Sequence, residues 1–372
     1  MIIFLFHHNF YKSLLVLGIM GFYDDLLKPG VSLFKNEYAL DYTFLPKTVP
    51  YRESQQRYLA SCIKPLLTDH NGRNVLVHGP PGVGKTAALK HLLRELDESD
   101  EFSDKLHMIY VNCWHKNTTY KVVLELCDAV GYAFVQNKNT EDLFKIVTQI
   151  INKKGAIFVF DEIDKAEDTD FLYILSEMVY KKTIFLVTNY KSWLLELDDR
   201  IRSRLMLEET EFPQYNDTEI EGILKERIPY AFDTECVDDD VLRVISHKAA
   251  ELKDVRIGLF LLRESVVIAE SQNSQRVKKE HAERAMTKIE QFTIKNTDEL
   301  DDESKLILKI VKEYSGKKIG DLFKLYEKAG GRSSYKTFQR KITKLEEGKF
   351  ISLERTHSGG NTTIVNKKLT EY

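Results

Sequence analysis

The segment HGPPGVGKTAALKHL, residues 78–92, has glycines, a lysine and a threonine at a spacing that can bind phosphate. Gly79, Gly84, Lys85 and Thr86 match the pattern G-x-x-x-x-G-K-[ST], and Gly82 lies between them. Glycines let backbone N–H groups turn towards an anion, and the helix that follows adds its positive N-terminal end. Lys85 is therefore predicted to reach the β- and γ-phosphates of a nucleotide, and Thr86 to ligate Mg²⁺. The alternative is a glycine turn beside a surface lysine.

An acidic pair follows the apolar run AIFVF, residues 156–160. Asp161 is predicted to hold Mg²⁺, and Glu162 to orient and deprotonate an attacking water molecule. Charged residues are also common at strand ends that have no catalytic role. Asp164 is expected to be structural or to tune the local charge.

Asn189 ends a further apolar run, TIFLVT, residues 183–188. Ligands of open parallel α/β sheets bind at the carboxyl ends of the strands. The Asn189 amide is therefore predicted to position the water near the γ-phosphate, although asparagine is also an ordinary turn-forming residue.

These residues need a scaffold that brings several strand ends together. Apolar runs alternate with helical segments up to about residue 209, which predicts a parallel α/β sheet. Strands are predicted at 74–79, 107–113, 156–164, 183–189 and 204–209. Helices are predicted at 52–67, 85–96, 118–131, 140–153 and 169–180.

The pattern changes after residue 216, where only helical periodicity continues to about residue 295, enough for roughly four helices. The polar, acidic segment KNTDELDDES, residues 295–304, predicts a linker. Helices at 301–315, 317–328 and 334–347 and two short strands around Gly359-Gly360 then form a winged-helix pattern.

The charge of the chain is unevenly distributed. Residues 304–372 contain 16 Lys and Arg against 7 Asp and Glu, whereas the whole chain carries a net charge of −3. A basic end on an acidic body predicts a local site for a polyanion. The four cysteines form no C-x-x-C pair, which disfavours a zinc site and favours reduced thiols in the cytosol.

The first residues, MIIFLFHHNFYKSLLVLGIM, are apolar but interrupted by histidine, asparagine and lysine. They lack the basic start and the small-residue cleavage site of a secretory signal. We expect residues 1–19 to be an extension outside the native protein that starts at Met20. A helix packed on the body and a membrane anchor are the alternatives, and no stable membrane association is expected.

The segment SSYKTFQRKITKLEEGKF, residues 333–350, combines an apolar and a basic helix face. Its apolar residues recur at intervals of three and four, which packs one face. Lys336, Arg340 and Lys344 are spaced by four on another face, Lys341 adds to it, and Arg355 follows in the wing. Such a face suits the major groove and the phosphates of DNA, with salt-sensitive affinity. A solvated basic face is the alternative.

The assembled motifs resemble those of the AAA+ ATPases. HGPPGVGKT resembles Walker A, VFDEID resembles Walker B and Asn189 resembles sensor 1. DDRIRSRL, residues 198–205, is similar to an arginine-finger segment, and KDVRIGLFLLRES, residues 253–265, to a sensor 2 helix. The pieces DDLLKPGVSLFKNEYAL, VPYRESQQ, YVNCWHKNTTYKVV and FPQYNDTEIEGILKERI narrow the resemblance to the archaeal Orc/Cdc-type replication initiators.

This resemblance covers residues 20–372 and implies an AAA+ core at 20–210, a helical lid at 211–297 and a winged-helix domain at 298–372. It implies that Arg256 acts as sensor 2 and that Arg204, or alternatively Arg200, acts on the nucleotide of a neighbouring molecule. Lys253 stands where the family usually has glycine. The segment 118–135 occupies the place of the family's DNA-contacting insertion, but Lys121 is its one basic residue.

The resemblance also places Val49, Pro50 and Arg52 at the adenine. The residues expected to bind the nucleotide are Val49, Pro50, Arg52, Gly79, Pro80, Pro81, Gly82, Val83, Gly84, Lys85, Thr86, Ala87, Tyr215 and Arg227.

The implied function is that of a slow Mg²⁺-dependent ATPase, switched between ATP and ADP, that binds double-stranded origin DNA and helps to load the MCM helicase. Other copies or paralogues are implied partners, and the location is cytoplasmic and nucleoid-associated. Two alternatives are an ATP-switched transcriptional regulator and a clamp-loader-like remodeller whose C-terminal domain binds protein.

Overall fold

The computed structural model describes residues 32–232, 236–298, 300–347, 350–356 and 362–367. The predicted extension 1–19 and the Gly359-Gly360 turn lie outside these residues. Within the described ranges, no helix is long and apolar enough to cross a membrane.

The first part of the chain forms the predicted parallel sheet, with strand order β2-β3-β4-β1-β5. The strands are β1 (Val75–His78), β2 (Leu106–Asn112), β3 (Gly155–Asp161), β4 (Lys182–Thr188) and β5 (Glu208–Glu211). The helices around them are α1 (Glu53–Ile63), α2 (Lys85–Asp97), α3 (Thr119–Ala129), α4 (Thr140–Ile151), α5 (Asp170–Met178) and α6 (Asp199–Leu205).

Every residue of β3 is buried, as expected for a strand inside a parallel sheet that is covered on both faces. A strand with apolar residues on both faces needs helices on both sides. One apolar cluster contains Phe158 and Phe160, and a second contains Ile157 and Val159. The carboxyl ends of β1, β3 and β4 therefore meet at the middle of one edge.

Two predicted strands have different limits. β3 ends at Asp161 and not at residue 164, because Glu162 adopts a left-handed φ of 54° and a 3-10 turn follows. The strand predicted at 204–209 is wrong in its first half: residues to Leu205 belong to α6, whose cap is the Asp198 side chain. Met206 then reverses the chain with a φ of 46°, and β5 pairs with β1 from Glu208.

Four helices follow the sheet, as the periodicity predicts: α7 (Asp217–Ala231), α8 (Asp239–Glu251), α9 (Val255–Ser271) and α10 (Lys279–Asp298). We call them the lid. Asn216 and Glu219 form a capping box that starts α7. The lid has its own apolar cluster, which also includes Ala39 and Leu40 from the N-terminal segment.

The C-terminal part contains α11 (Asp302–Glu313), β6 (Lys317–Lys318), α12 (Ile319–Lys328), α13 (Tyr335–Glu347), β7 (Ile351–Thr356) and β8 (Thr362–Lys367). The strands form an antiparallel sheet in the order β6-β8-β7. Phe338, Ile342 and Leu345 of α13 are buried against α11 and α12.

The linker predicted at 295–304 is wrong for most of its length, because α10 continues to Asp298 and α11 starts at Asp302. The polar composition predicted a loop, but Asp301 caps the N-terminus of α11, and Asp302 and Glu303 lie in the first turn of that helix. The Asp301 side chain accepts a hydrogen bond from the Ser304 amide at 2.7 Å and caps α11.

Candidate functional site

A cavity of about 430 Å³ opens between the sheet edge, the phosphate loop (residues 79–86), the segment 42–50 and the lid. Its volume suits a small-molecule ligand. The sequence-predicted residues that line it are Val49, Pro50, Pro81, Gly82, Val83, Gly84, Lys85, Thr86, Ala87, Asp161, Glu162, Asn189, Tyr215, Arg227 and Arg256. Gly79 and Pro80 line a neighbouring depression that shares Pro81 and Asn189 with this cavity.

The phosphate loop has the backbone that its glycines predict. Gly82 and Gly84 have φ values of 73° and 85°, which favour residues without a Cβ. A Cβ at Gly82 would lie 2.1 Å from Asp254 Oδ1, and one at Gly84 would lie 2.6 Å from the Tyr215 hydroxyl. The loop is thus a closely packed cradle that leads into α2, and its composition fits a polyphosphate.

Lys85 is buried at the start of α2 and its ammonium group bridges the loop to the sheet. It donates to the carbonyl oxygens of Gly79 at 2.7 Å and Pro80 at 2.8 Å, and to Asn189 Oδ1 at 2.8 Å. Burial lowers the pKa of Lys85 to about 8, against the opposing effect of Glu162 and Asp161. An anion beside this group would stabilise its charged form.

We expect the binding of a polyphosphate beside Lys85, with ATP as the probe, to be accompanied by uptake of about one proton at about pH 9. In the free protein the pKa of Lys85 is about 8, so the amine loses its proton above that value. Adjacent phosphates, whose own second pKa is about 6, raise the pKa of the amine, so affinity falls as pH rises between the two values. Calorimetry at about pH 9 in buffers of different ionisation enthalpy measures the uptake. A Lys85→Arg variant is the control, because arginine does not titrate there; absence of uptake in the wild type contradicts the assignment.

One carboxylate oxygen of Asp161 accepts hydrogen bonds from two hydroxyl groups. The hydroxyls of Thr86 and Tyr110 each donate to Asp161 Oδ2 at 2.7 Å, and the Glu162 amide donates to Oδ1 at 3.0 Å. A hydroxyl and a carboxylate beside a polyphosphate cradle are the oxygen donors that Mg²⁺ uses in nucleotide sites, so the residues fit this ion. Tyr110 was not predicted to be part of the site. It lies within β2, and nothing in the sequence of that strand indicates that its hydroxyl binds Asp161.

Glu162 and Asn189 lie side by side at the same edge, in the way that the strand ends predict. Asn189 Nδ2 donates to Glu162 Oε2 at 3.2 Å, while Asn189 Oδ1 accepts from Lys85. Burial and the neighbouring Asp161 raise the pKa of Glu162, which makes it a better proton acceptor when ionised. Asp164 is turned away, accepting from the Thr188 hydroxyl at 2.9 Å and pairing with Lys165 at 2.8 Å.

Apolar side chains also line the cavity, and such a surface suits a base. Val49 and Pro50 line it, and Tyr215 closes it from the junction with the lid. Arg227 lines it as well, but its guanidinium group is engaged by the carbonyl oxygens of Ala39 and Phe44 at 3.2 and 3.1 Å.

The structure does not place Arg52 where the resemblance does. Arg52 is 2% exposed and is absent from the lining of the cavity. Its guanidinium group donates to the carbonyl oxygens of Val83 and Pro213, because a charge buried this deeply needs hydrogen-bond acceptors and these two backbone groups supply them.

Arg256, on the first turn of α9, reaches the cavity from the lid. Its Nε donates to both carboxylate oxygens of Asp254 at 2.9 and 3.0 Å. Lys253, which stands in the place of a glycine, adopts a left-handed φ of 60°. The backbone conformation that glycine favours is therefore retained with a lysine.

The arginines of α6 lie on the surface. Arg200 pairs with Asp198 at 3.2 Å and its side chain is 83% exposed. Arg204 lies over the Tyr173 ring at 4.4 Å and 3.8 Å from Glu177. Arg200 is thus the more accessible of the two.

The basic face of α13 is only partly as predicted. Lys336, Arg340 and Lys344 are exposed and form no ion pair within the described ranges. Lys341 does not belong to this face: its ammonium group is 2.6 Å from Asp301 and 3.4 Å from Glu303 on α11. That interaction lowers the pKa of Asp301 to about 2. Arg355 lies in β7 opposite Thr363.

The segment 118–135 packs apolar side chains of α3 into the core beside the sheet. Val122, Val123 and Leu126 of α3 are buried beneath it. The four cysteines are free and buried, and no cluster of metal-ligating side chains occurs in the ranges that the structure describes.

Comparisons with known proteins agree with this arrangement. A family described as an AAA domain matches residues 68–189, and one described as a Cdc6 AAA+ ATPase-type lid domain matches residues 221–287. The chain is 31% identical over 345 residues to the ORC1-type DNA replication protein 1 of Archaeoglobus fulgidus, covering 88% of this chain and 84% of the relative.

Solved structures of archaeal ORC proteins share the fold of this chain. The Aeropyrum pernix ORC1 protein in complex with DNA is 25% identical, with a TM-score of 0.67 and coverage of 91% of this chain and 95% of that one. The Aeropyrum pernix ORC2 protein in ADPNP and ADP complexes has a TM-score of 0.66 at 17% identity, covering 92% and 95%, and supports the fold. The AAA+ fold predicted from the sequence is confirmed.

Proposed function

Because this chain belongs to the ORC1-type DNA replication proteins, a family of AAA+ ATPases, we propose that it is an ATP-switched initiator that binds duplex origin DNA. The observation that carries the proposal is the convergence of Lys85, Asp161, Glu162 and Asn189 on one cavity that Arg256 enters from the lid. A protein that used its helices only as a scaffold would have no need to bury an ammonium group beside two carboxylates.

The proposed site binds ATP or ADP with Mg²⁺. Lys85 and the amides of the phosphate loop hold the phosphates, and Thr86 and Asp161 are the protein's ligands for the ion. The ion would neutralise charge that develops on the phosphates. Glu162 accepts a proton from the attacking water, and Asn189, held between Lys85 and Glu162, orients that water.

Slow turnover is consistent with the incomplete site of a single chain. Arg256 is held by Asp254, and Arg200 and Arg204 lie on the surface of α6. We propose that one of the two α6 arginines completes the site of a neighbouring copy, and the exposure of Arg200 favours that residue. Hydrolysis then ends an ATP-bound state and serves as a switch.

The proposed DNA interface is the exposed face of α13 together with the wing. Lys336, Arg340 and Lys344 point away from the apolar side that packs Phe338 and Ile342. Three cations at intervals of four residues follow the line of phosphates beside a groove. The DNA complex of the similar Aeropyrum pernix protein supports this use of the fold.

Replacing Arg340 and Lys344 by alanine should weaken binding to every duplex. Each lost phosphate contact lowers the slope of log affinity against log salt by about one, so the double variant loses about two. Duplex affinity across a salt series measures both effects, and ATP affinity should not change. The matched control is Lys309→Ala with Lys312→Ala, which removes two exposed charges from α11. Equal losses in the two double variants, or no loss in either, would remove α13 from the interface.

We further propose that the bound protein helps to load the MCM helicase, acts in the cytoplasm at the nucleoid, and comprises an AAA+ core at 20–210, a lid at 211–297 and a winged-helix domain at 298–372. A transcriptional regulator with the same domains and a clamp-loader-like remodeller remain the alternatives. The regulator would occupy promoters, and the remodeller would keep its duplex affinity when the face of α13 is neutralised.

A further inference from the structure

Gly82 and Gly84 of the phosphate loop contact groups that belong to the lid or to its junction with the core, and Val83 between them is bound by Arg52. Gly82 lies against the Asp254 carboxylate, and Gly84 lies against the Tyr215 hydroxyl, as the 2.1 and 2.6 Å clearances for an added Cβ show. Between them, the Val83 carbonyl oxygen accepts a hydrogen bond from Arg52 Nε at 3.0 Å. The loop that faces the phosphates is therefore also attached to the element that covers them.

Arg52 is the centre of this attachment. Its Nη2 donates to the Pro213 carbonyl oxygen at 2.6 Å, between the last strand of the sheet and the first helix of the lid. Its Nη1 donates to Tyr51 O at 2.7 Å, and its guanidinium group stacks on the Tyr215 ring at 3.7 Å. No carboxylate of the described ranges forms an ion pair with it, and it is 2% exposed. Backbone carbonyls from two distant segments thus hold a buried charge.

The neighbours of Arg52 extend the link into the lid. Tyr51 has a left-handed φ of 62°, a strained conformation for a tyrosine. Its hydroxyl lies against Gly222 of α7, where an added Cβ would come within 1.9 Å. Tyr215 precedes Asn216, whose side chain caps α7 through the Glu219 amide at 2.9 Å. Tyr51, Arg52 and Tyr215 therefore connect the loop to the lid's first helix along two routes.

We propose that Arg52 is a positioning residue that couples the phosphate loop to the lid, so that nucleotide binding changes the orientation of the lid. The guanidinium group is a rigid planar fork, and it can bridge Val83 and Pro213 only while the two carbonyls keep their separation. When bound phosphates shift the loop, Val83 either breaks a charge-assisted hydrogen bond or moves the junction with it. The coupling rests on the proposed binding of ATP at this loop.

The test measures the lid directly in the full chain. Spin labels on Lys153→Cys in the core and Gln272→Cys in the lid report the distance between two exposed positions, while the four native cysteines are buried. The distance is measured with and without ATP and Mg²⁺, and ATP affinity is measured on the same samples. Arg52→Lys keeps the charge and loses the fork. Arg57→Lys, an exposed position on α1, is the matched control.

We expect ATP to shift the distance in the wild type and in Arg57→Lys, and the shift to be lost in Arg52→Lys although that variant still binds ATP. A full shift in Arg52→Lys, or loss in both variants, overturns the coupling. ATP binding without a shift in the wild type also overturns it and leaves the proposed function intact, whereas absence of ATP binding overturns both. If Arg52→Lys does not fold, Tyr215→Phe replaces it: it loses the contact at Gly84, so a smaller shift is expected, and an unchanged one contradicts the proposal.

Discussion

The Glu162→Gln variant should bind ATP like the wild type and hydrolyse it about 10²- to 10⁴-fold more slowly, the usual contribution of a positioned general base. The amide keeps an oxygen that can accept from Asn189 Nδ2, as Glu162 Oε2 does at 3.2 Å, so the local geometry is preserved. It cannot accept the proton of the attacking water. Single-turnover hydrolysis and equilibrium ATP binding, measured on the same protein, separate the two effects.

Glu167→Gln is the matched control, since Glu167 is exposed five residues further on and bonds to Asn117, away from the cavity. It should hydrolyse ATP at the wild-type rate. Wild-type hydrolysis by Glu162→Gln would assign the base to another group. Because burial raises the pKa of Glu162, protonation should also end activity at a higher pH than for an ordinary glutamate.

The Lys85→Ala variant should bind ATP at least about 10²-fold more weakly than the wild type. A hydrogen bond to a charged group contributes about 1.5–3 kcal/mol, and Lys85 can make more than one to the β- and γ-phosphates. Each 1.4 kcal/mol corresponds to about tenfold in affinity. Titration with a fluorescent ATP analogue, with ATP as competitor, measures the loss.

Lys145→Ala is the control for a lost lysine, because Lys145 is exposed on α4 and pairs with Glu141. It should leave the affinity unchanged. Should Lys85→Ala bind ATP as tightly as this control, the phosphates lie elsewhere. The calorimetric proton uptake predicted for the wild type would then also be absent.

The residues that the sequence placed in the site are those whose position follows from a strand end. Asp161 and Asn189 come directly after apolar runs, and neighbouring parallel strands bring their ends together. Lys85 and Thr86 follow from the turn geometry of adjacent glycines. These arguments use local sequence and one rule of sheet topology, so no distant contact had to be known.

The residues that the sequence misplaced or missed depend on partners far along the chain. Arg52 binds carbonyls 31 and 161 residues away, and Lys341 pairs with Asp301, 40 residues away. Tyr110 meets Asp161 across a separation of 51 residues. The spacing of residues along the sequence cannot show whether an arginine donates to buried backbone carbonyls or to a ligand, because the guanidinium group can do either.

Two helix boundaries were predicted wrongly because each depends on single residues that average composition does not reveal. The acidic segment near residue 300 looks like a linker, yet Asp301 is a helix cap. The strand predicted at 204–209 begins as α6, which Asp198 caps and Met206 ends with a left-handed turn. In both places a single capping or reversing residue decides the structure, and average polarity does not reveal it.

We propose that the chain binds chromosomal DNA at the sites where replication starts. Chromosomal occupancy mapped by immunoprecipitation in the source organism, beside a replication profile from the same culture, tests it most directly. We expect a few focused peaks that coincide with the starts of replication and disappear when Arg340 and Lys344 are replaced by alanine. Occupancy scattered over promoters away from those starts, or no enrichment of DNA at all, would contradict it.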